Sequence, residues 1–400
     1  MGPLNGLTAI DLSRALAGPH AGMVLGDLGA RVIKVEVPGT GDDTRGWGPP
    51  FVGPAGDEQS TYFLSCNRNK ESISLDLKDA ADLDVLRTLI ATADILVENF
   101  RPGTLDRLGL TAEVLFQLNP RLIVLAISGF GHDGPEGSRA GYDQIAQGEA
   151  GIMSLTGTDR ANPQRVGVPI GDLLAGIYGV VGILAALTER AMTGRGQVVR
   201  TSLLAALVGI HAFEGTRWTV AGQVGTAAGN HHPSIAPYGL FACGGGAVQI
   251  AVGSERLWQR FASAFGLDLT DARYLTNASR VSNRQALIAD IETAFSGWSA
   301  ADLLVELDRI GIPAGRVRSL DEVYEWEQTR SQGLLIDVDH STLGTITLPG
   351  PTLRFFDQGG VEVTRTEHAP PPLLDEHGPA LRQQAAALGR AAHPVGEAAR

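Results

Sequence analysis

The chain has 400 residues, 44% of them hydrophobic and 19% charged, with a formal net charge of −12. That length exceeds one ordinary core and points to two domains or one large domain with an insertion. The acidic balance argues against nucleic acid as the main partner, because neutralising phosphates takes an excess of Lys and Arg, but it leaves room for a small anion held by a few local cations and backbone N–H groups.

Cys66 and Cys243 are the two cysteines, far apart and without a CxxC, so neither a disulfide framework nor a zinc pattern is present and a reducing compartment is expected. Met1 to Gly6 lacks a basic stretch followed by an apolar one, so no signal peptide is expected there. The apolar stretches Ile177 to Leu187 and Leu203 to Ile210 read as too short, and too interrupted by glycine, to span a bilayer. A cytoplasmic protein without a membrane partner is the reading.

In chain order, strands are predicted at Leu7–Leu12, Arg31–Val37, Ser72–Leu77, Ile95–Glu98 and Leu122–Ser128, with helices at Pro19–Leu28 and Ala80–Ala93 between them. Leu122–Ser128 is almost continuously apolar, as suits a strand buried on both faces. Such alternation predicts an α/β fold with a parallel sheet covered by helices. Gly171–Arg190 then reads as a small, apolar helix, and Thr193–Leu204 as a turn, a strand and a further helix. The character changes near Gly222. Phe241–Val252 reads as a hairpin through Gly244-Gly245-Gly246, followed by helices at Glu255–Phe265, Arg284–Phe295 and near Ala300–Ile310. Residues 225–325 are read as a smaller α+β domain. The tail from Ile336 predicts another hairpin and a helix near Gly378–Leu388, returning to the first domain, and the residues AAHPVGEAAR read as a frayed end.

Candidate sites gather at the carboxyl ends of the predicted strands. Gly129-Phe130-Gly131-His132-Asp133-Gly134 matches GxGxxG after a strand, but Pro135, Gly137 and Gly141 follow where a dinucleotide fingerprint needs a helix, so an irregular loop is expected. The adjacent pair His231-His232 has no second cluster, and no metal site is expected. Asp172, in VPIGDLLAGIYG, reads as a helix N-cap, where oriented N–H groups favour an ionised carboxylate, the form a nucleophile requires. Asn99-Phe100-Arg101 with Arg107, and Cys66-Asn67-Arg68-Asn69-Lys70, could hold a phosphorylated ligand or be solvated turns.

Taken together, LTAIDLSRALAGP (7–19), GARVIKVEVPGTGDDTR (29–45), ADILVENFRPGTLDRLGL (93–110), NPRLIVLAISGFG (119–131), GYDQIAQGEAG (141–151), GDLLAGIYGVVGILAAL (171–187) and TGRGQVV (193–199) resemble, in order and spacing, the class III CoA transferases, the family of formyl-CoA transferase and alpha-methylacyl-CoA racemase. The resemblance implies a large Rossmann-like CoA-binding domain over 1–200 and 335–400, its parallel sheet built from both chain ends. It also implies a linker at 201–224, a small domain at 225–325, a second linker at 326–334, and a homodimer of interlocked rings. Asp172 matches the family's catalytic aspartate. It would carry CoA from an acyl-CoA, such as the dicarboxylate thioester succinyl-CoA, to a small carboxylate through aspartyl anhydride and aspartyl-CoA thioester intermediates. CoA and acyl-CoA are substrates in this reading, and no cofactor is bound permanently.

The CoA-binding positions carried over are Leu16, Ala17, Val37, Cys66, Asn67, Arg68, Asn69, Asn99, Phe100, Arg101, Arg107, Ala140, Gly141, Tyr142 and Asp143. Leu16, Val37 and Ala140 stand where formyl-CoA transferases have polar or basic residues, and Arg14 or Arg139 could compensate. GNHHPSIAPYG (229–239) replaces the glycine loop of formyl-CoA transferase, making His232, Ser234 and Tyr238 candidate acceptor contacts. Two other functions compete. Racemisation of a 2-methylacyl-CoA needs two bases flanking the carbon, and Tyr142 stands where the family's racemases have histidine. A non-catalytic acyl-CoA-binding protein would have no need of Asp172.

Overall fold

The computed structural model describes residues 2–392, the side chains of 391 and 392 apart, and the greater part of the stretch read as a frayed end lies outside it. The chain forms two compact units. One gathers the described residues of Met1–Ile152, Val166–Thr219 and Glu327–Arg400; the other comprises Met153–Arg165 and Val220–Trp326.

In the larger unit the chain alternates β1 (Thr8–Asp11), α1 (Ala17–Asp27), β2 (Arg31–Glu36), β3 (Lys70–Ser74), α2 (Ala80–Thr92), β4 (Ile95–Glu98), β5 (Ile123–Ser128), α3 (Asp143–Glu149), α4 (Ile170–Thr193), β6 (Val198–Ser202) and α5 (Leu203–Gly209). The six strands are parallel and lie in the order β3-β2-β1-β4-β5-β6. All six residues of β5 are buried, as its unbroken apolar run requires. Its side chains alternate between faces: Leu125 and Ile127 join a core with α1 and α4, and Val124 joins a second core with α2. The strand order reverses between β1 and β4, which opens a crevice at their carboxyl ends where ligands of such sheets bind.

The sheet corrects one expectation. Its strands all come from residues 8–202, not from both chain ends. The C-terminal residues contribute a hairpin (Leu335–His340 with Gly344–Pro349) and a helix (Gly378–Ala392) whose Leu381 and Ala385 pack with Leu86 and Leu89 of α2. Residues 201–219, expected as linker, lie in the larger unit, where Ser202 caps α5 by accepting a hydrogen bond from the Ala205 N–H at 3.0 Å.

Helix α4 is longer than the sequence suggested: 24 residues, with an 18-residue window of mean hydropathy 2.0, enough in length and composition to cross a bilayer. Its glycines show a different use. A Cβ on Gly176 would stand 2.7 Å from the Ala17 carbonyl oxygen of α1, and one on Gly179 would stand 2.7 Å from the Leu125 side chain. One face of the helix lies directly on the sheet and on α1.

In the smaller unit, Tyr238–Cys243 and Gly246–Ala251 form the predicted hairpin, extended by Ala314–Gly315 into a three-stranded antiparallel sheet. Helices Glu255–Phe265, Arg284–Phe295 and Ala300–Arg309 cover it around Phe241, Trp258, Phe261 and Phe295.

Candidate active site

The site begins with how α4 starts. Pro169 occupies its N-cap position and offers no side-chain cap. The orphan N–H groups are instead met from α3: buried Asp143 Oδ1 accepts from the backbone N–H of Gly171 at 2.7 Å and of Asp172 at 3.3 Å, while its Oδ2 accepts from Gln147 Nε2 at 2.7 Å. Asp172 is therefore the third residue of the helix and not its cap. Its carboxylate oxygens accept no hydrogen bond among the described residues.

This reverses the expected electrostatics. Burial, and secondly the negative charge of Asp143, push the Asp172 carboxyl up to about 7. The dipole of α4 favours the ionised form, but the N–H groups that would have delivered most of that stabilisation are aimed at Asp143. The next residue of α4, Leu173, packs into a small apolar cluster. Leu16, Met23 and Cys66 are buried together, with Tyr62 and Leu173 against them. Tyr62 is pushed up to about 12, first by burial and then by the charge of Asp172, and Trp47 meets its ring edge-on with centroids 5.1 Å apart. The site therefore pairs a desolvated carboxyl with Tyr62 and Trp47, both of which sequence reasoning missed. Aromatics flanking the Cys66 segment in TYFLSC were the available signal.

Beside it, the loop between β1 and α1 is held from below by buried charges. Lys70 Nζ donates to Asp11 Oδ2 (2.9 Å), Pro19 O (2.8 Å) and Asn67 Oδ1 (2.8 Å). Lys34 Nζ pairs with Asp42 Oδ2 at 2.8 Å and donates to Ser13 O at 3.0 Å. Asp42 Oδ1 accepts from the N–H of Ala15, a non-glycine residue held at φ 64°. Gly18 must be glycine, since a Cβ there would stand 2.2 Å from that of Ser13. From the other side of the crevice Asn99 clamps this loop reciprocally: its Oδ1 accepts from Arg14 N–H (2.8 Å) and its Nδ2 donates to Arg14 O (2.7 Å).

The fifteen residues carried over as CoA contacts divide accordingly. Leu16 and Ala17, both buried, stand at the start of α1, and Asn99 and Phe100 directly follow β4, with the Arg14 guanidinium 5.8 Å from the Phe100 ring centroid. Arg14 has no acceptor for that guanidinium among the described residues, so it remains available. Arg139 does not, because it donates to Glu149 and Glu136 and covers the Phe130 ring. Val37 is half-buried just past β2. Arg101 and Arg107 are exposed on the loop after β4, where Arg107 donates to Thr104 Oγ1 at 2.9 Å.

The segment 66–69 is turned inwards, which corrects the expected side-chain contacts. Cys66 is buried and its thiol pushed up to about 11. Asn67 is used by Lys70 and by Phe63 O, Arg68 makes a bidentate pair with Asp27, and Asn69 bonds Asp27 and Ala369. Their hydrogen-bonding groups are spent inside the chain. Ala140, Gly141 and Tyr142 form a loop pressed on the strand-end loop at Gly129. A Cβ on Gly129 would stand 2.7 Å from Gly141 N, so only two glycines allow this crossing, and it delivers Asp143 to α4. GxGxxG at 129–134 thus serves a backbone crossing and not a dinucleotide.

In the smaller unit the 229–239 loop is braced: Arg284 Nη2 donates to His232 O (2.6 Å) and Pro233 O (2.9 Å), and Asn277 Nδ2 donates to Ser234 O (2.9 Å). Tyr238 is exposed, and the His232 ring stacks 5.1 Å from it. Among the described residues no group of His, Cys, Asp and Glu could hold a metal ion.

One pH effect follows from the geometry. Activity that depends on ionised Asp172 should rise with pH through about 7. Asp143→Asn removes the neighbouring charge and should move that midpoint about one unit lower. A pH profile of kcat/KM for both proteins checks this, and coincident profiles would refute the coupling.

Fold and site define an α/β protein with a desolvated carboxyl in the first turn of α4. The family model for CoA-transferase family III matches residues 4–378. The chain is 38% identical over 397 residues to the succinate–glutarate CoA-transferase of Agrobacterium fabrum, covering 98% of each. It is 38% identical over 380 residues to the succinyl-CoA:glutarate CoA-transferase of Homo sapiens, covering 94% of this chain and 84% of that one. The crystal structure of a CaiB/BaiF family protein from Brucella suis matches with a TM-score of 0.84 at 39% identity, covering 96% of this chain and 99% of that one. The chain belongs to CoA-transferase family III and is an enzyme that transfers CoA between acyl-CoA and carboxylate.

Proposed function

We propose that this enzyme moves CoA from a dicarboxylate thioester such as succinyl-CoA to a second small dicarboxylate, with Asp172 as the covalent carrier. The observation that carries the reading is the Asp172 carboxyl itself: desolvated, free of hydrogen bonds among the described residues, and close enough to Tyr62 for its charge to raise the phenol. In the first step the ionised Asp172 attacks the thioester carbonyl, the C–S bond breaks, and CoA leaves as thiolate from a mixed anhydride. The thiolate then attacks the aspartyl carbonyl, releasing the donor acid as carboxylate and leaving aspartyl-CoA thioester. The acceptor carboxylate attacks that thioester to form a second anhydride, from which the thiolate takes the acyl group and regenerates Asp172. Both covalent intermediates hydrolyse readily, so the desolvation of Asp172 has a chemical purpose. The names of the relatives support the dicarboxylate class. The crevice between β1 and β4, with Leu16, Ala17, Val37, Asn99, Phe100 and Arg14, is the proposed CoA cradle.

Succinyl-CoA with glutarate should yield glutaryl-CoA and succinate. A panel of donors and acceptors scored for new thioesters tests this, and α-deuteration of a 2-methylacyl-CoA without any acceptor would favour the isomerase instead.

A homodimer of interlocked subunits in a reducing, cytoplasmic setting is part of the proposal. Ile177, Tyr178, Val181 and Leu184 form an exposed apolar stripe along α4, a face that a second copy could cover. Light scattering should give twice the chain mass, and Val181→Glu should halve it; a monomeric parent protein would exclude the dimer.

A further inference from the structure

The sheet has a second cavity that the Asp172 chemistry does not use. It has a volume of about 200 Å³ and opens at the carboxyl ends of β4, β5 and β6. Its floor is Val124 and Ala126 of β5 and Val198 of β6, closed by Leu110 and Leu115. Strand alternation places it on the face away from α4, because Leu125 and Val199 carry the α4 contacts. A thioester seated in this cavity is therefore on the wrong side of the sheet to meet Asp172.

Four polar residues, Glu98, His132, Arg101 and Arg200, line the cavity. Glu98 is buried, and its Oε2 accepts from Phe100 N–H at 2.8 Å, while its Oε1 accepts nothing among the described residues. His132 Nε2 is buried without a partner among them, its Nδ1 lying 3.4 Å from Ser128 Oγ. The guanidinium groups of Arg101 and Arg200 line the mouth, exposed, with no acceptor among the described residues. Asp106 is the one other charged group in the lining. The buried, unsatisfied His132 Nε2 calls for an occupant. The volume is below the usual range for sites of larger ligands such as nucleotides and suits a molecule of a few carbons.

We propose that this cavity binds a short-chain carboxylate, its alkyl chain on the Val124, Ala126 and Val198 floor and its carboxylate between Arg101 and Arg200. Two arginines supply the charge-assisted donors such a head group needs. Burial raises Glu98 to about 7, so it can present an O–H to the same head group.

Calorimetric titration of the full chain with hexanoate, without acyl-CoA, tests the site. Hexanoate should bind in the parent protein, in Asp172→Ala and under saturating CoA, and should bind about tenfold or more weakly in Arg200→Ala, whose exposed side chain leaves the core intact. Any of four results overturns the proposal: no binding, an unchanged Kd in Arg200→Ala, displacement by CoA, or loss in Asp172→Ala, the last marking an acceptor at the catalytic carboxyl. Failure of CoA transfer with hexanoate binding retained would count against the Asp172 mechanism alone.

Discussion

Asp172→Ala should lose at least about 10⁴-fold in turnover, since removing a nucleophile from a concerted site costs on that scale. It should also yield no covalent adduct. Incubating the parent protein with succinyl-CoA and quenching with hydroxylamine or borohydride should leave a modified Asp172 peptide by mass spectrometry, and the variant none. Stability offers a control for misfolding. A carboxyl whose folded pKa of about 7 lies above its ordinary value of 3.8 binds more protons folded than unfolded between those values. Its contribution is therefore favourable below that window and lost as pH rises through it. Asp172→Asn should accordingly be at least as stable as the parent at pH 8, and that advantage should shrink as pH falls towards 4. Turnover surviving in Asp172→Ala would end the covalent mechanism.

Lys70→Met should destabilise the larger unit by about 3–5 kcal/mol, the usual cost of stranding one partner of a buried ion pair. Lys70 and Asp11 are both fully buried, 2.9 Å apart. Burial pushes Asp11 up, but the charges of Lys70 and Lys34 outweigh it and hold its carboxyl below the usual range. Without Lys70, Asp11 keeps the charge of Lys34 and the hydrogen bonds from Ser13, and Asn67 Oδ1 and Pro19 O lose their Lys70 donor. Denaturant midpoints check the loss. Adding Asp11→Asn to Lys70→Met should recover part of it, because the stranded charge goes too. A double variant no more stable than Lys70→Met would mean that the cost lies in packing and not in charge.

The architecture was largely legible. An unbroken apolar β5 and the periodic helices between strands admit little except a covered parallel sheet, and the helices at 255–265 and 284–295 fall where their patterns place them. The site was legible in part. Asp172 stood out, but its cap did not, because Asp143 reaches α4 across space from a loop whose glycines look like loop punctuation. Arg68 and Asn69 misled for a related reason. A basic, polar run reads as a ligand surface unless its partners are seen, and Asp27 and Ala369 are 41 and 300 residues away. Tyr62 carries no charge pattern at all. Its only signal was the aromatic pair beside the Cys66 segment.

The far end of the chain seals the margin of the sheet. Asn69 N–H donates to Ala369 O and the Asn69 side chain accepts from Ala369 N–H, Asp375 meets Ser72 and Ser74, and the helix Gly378–Ala392 lies on α2. On the ribosome β3 emerges some three hundred residues before these partners. Throughout that interval its outer edge is bare, an invitation to pairing with other nascent chains. Vectorial folding of the larger unit therefore cannot finish before residues 369–392 have emerged, and holdase chaperones would have their greatest effect on it in that interval.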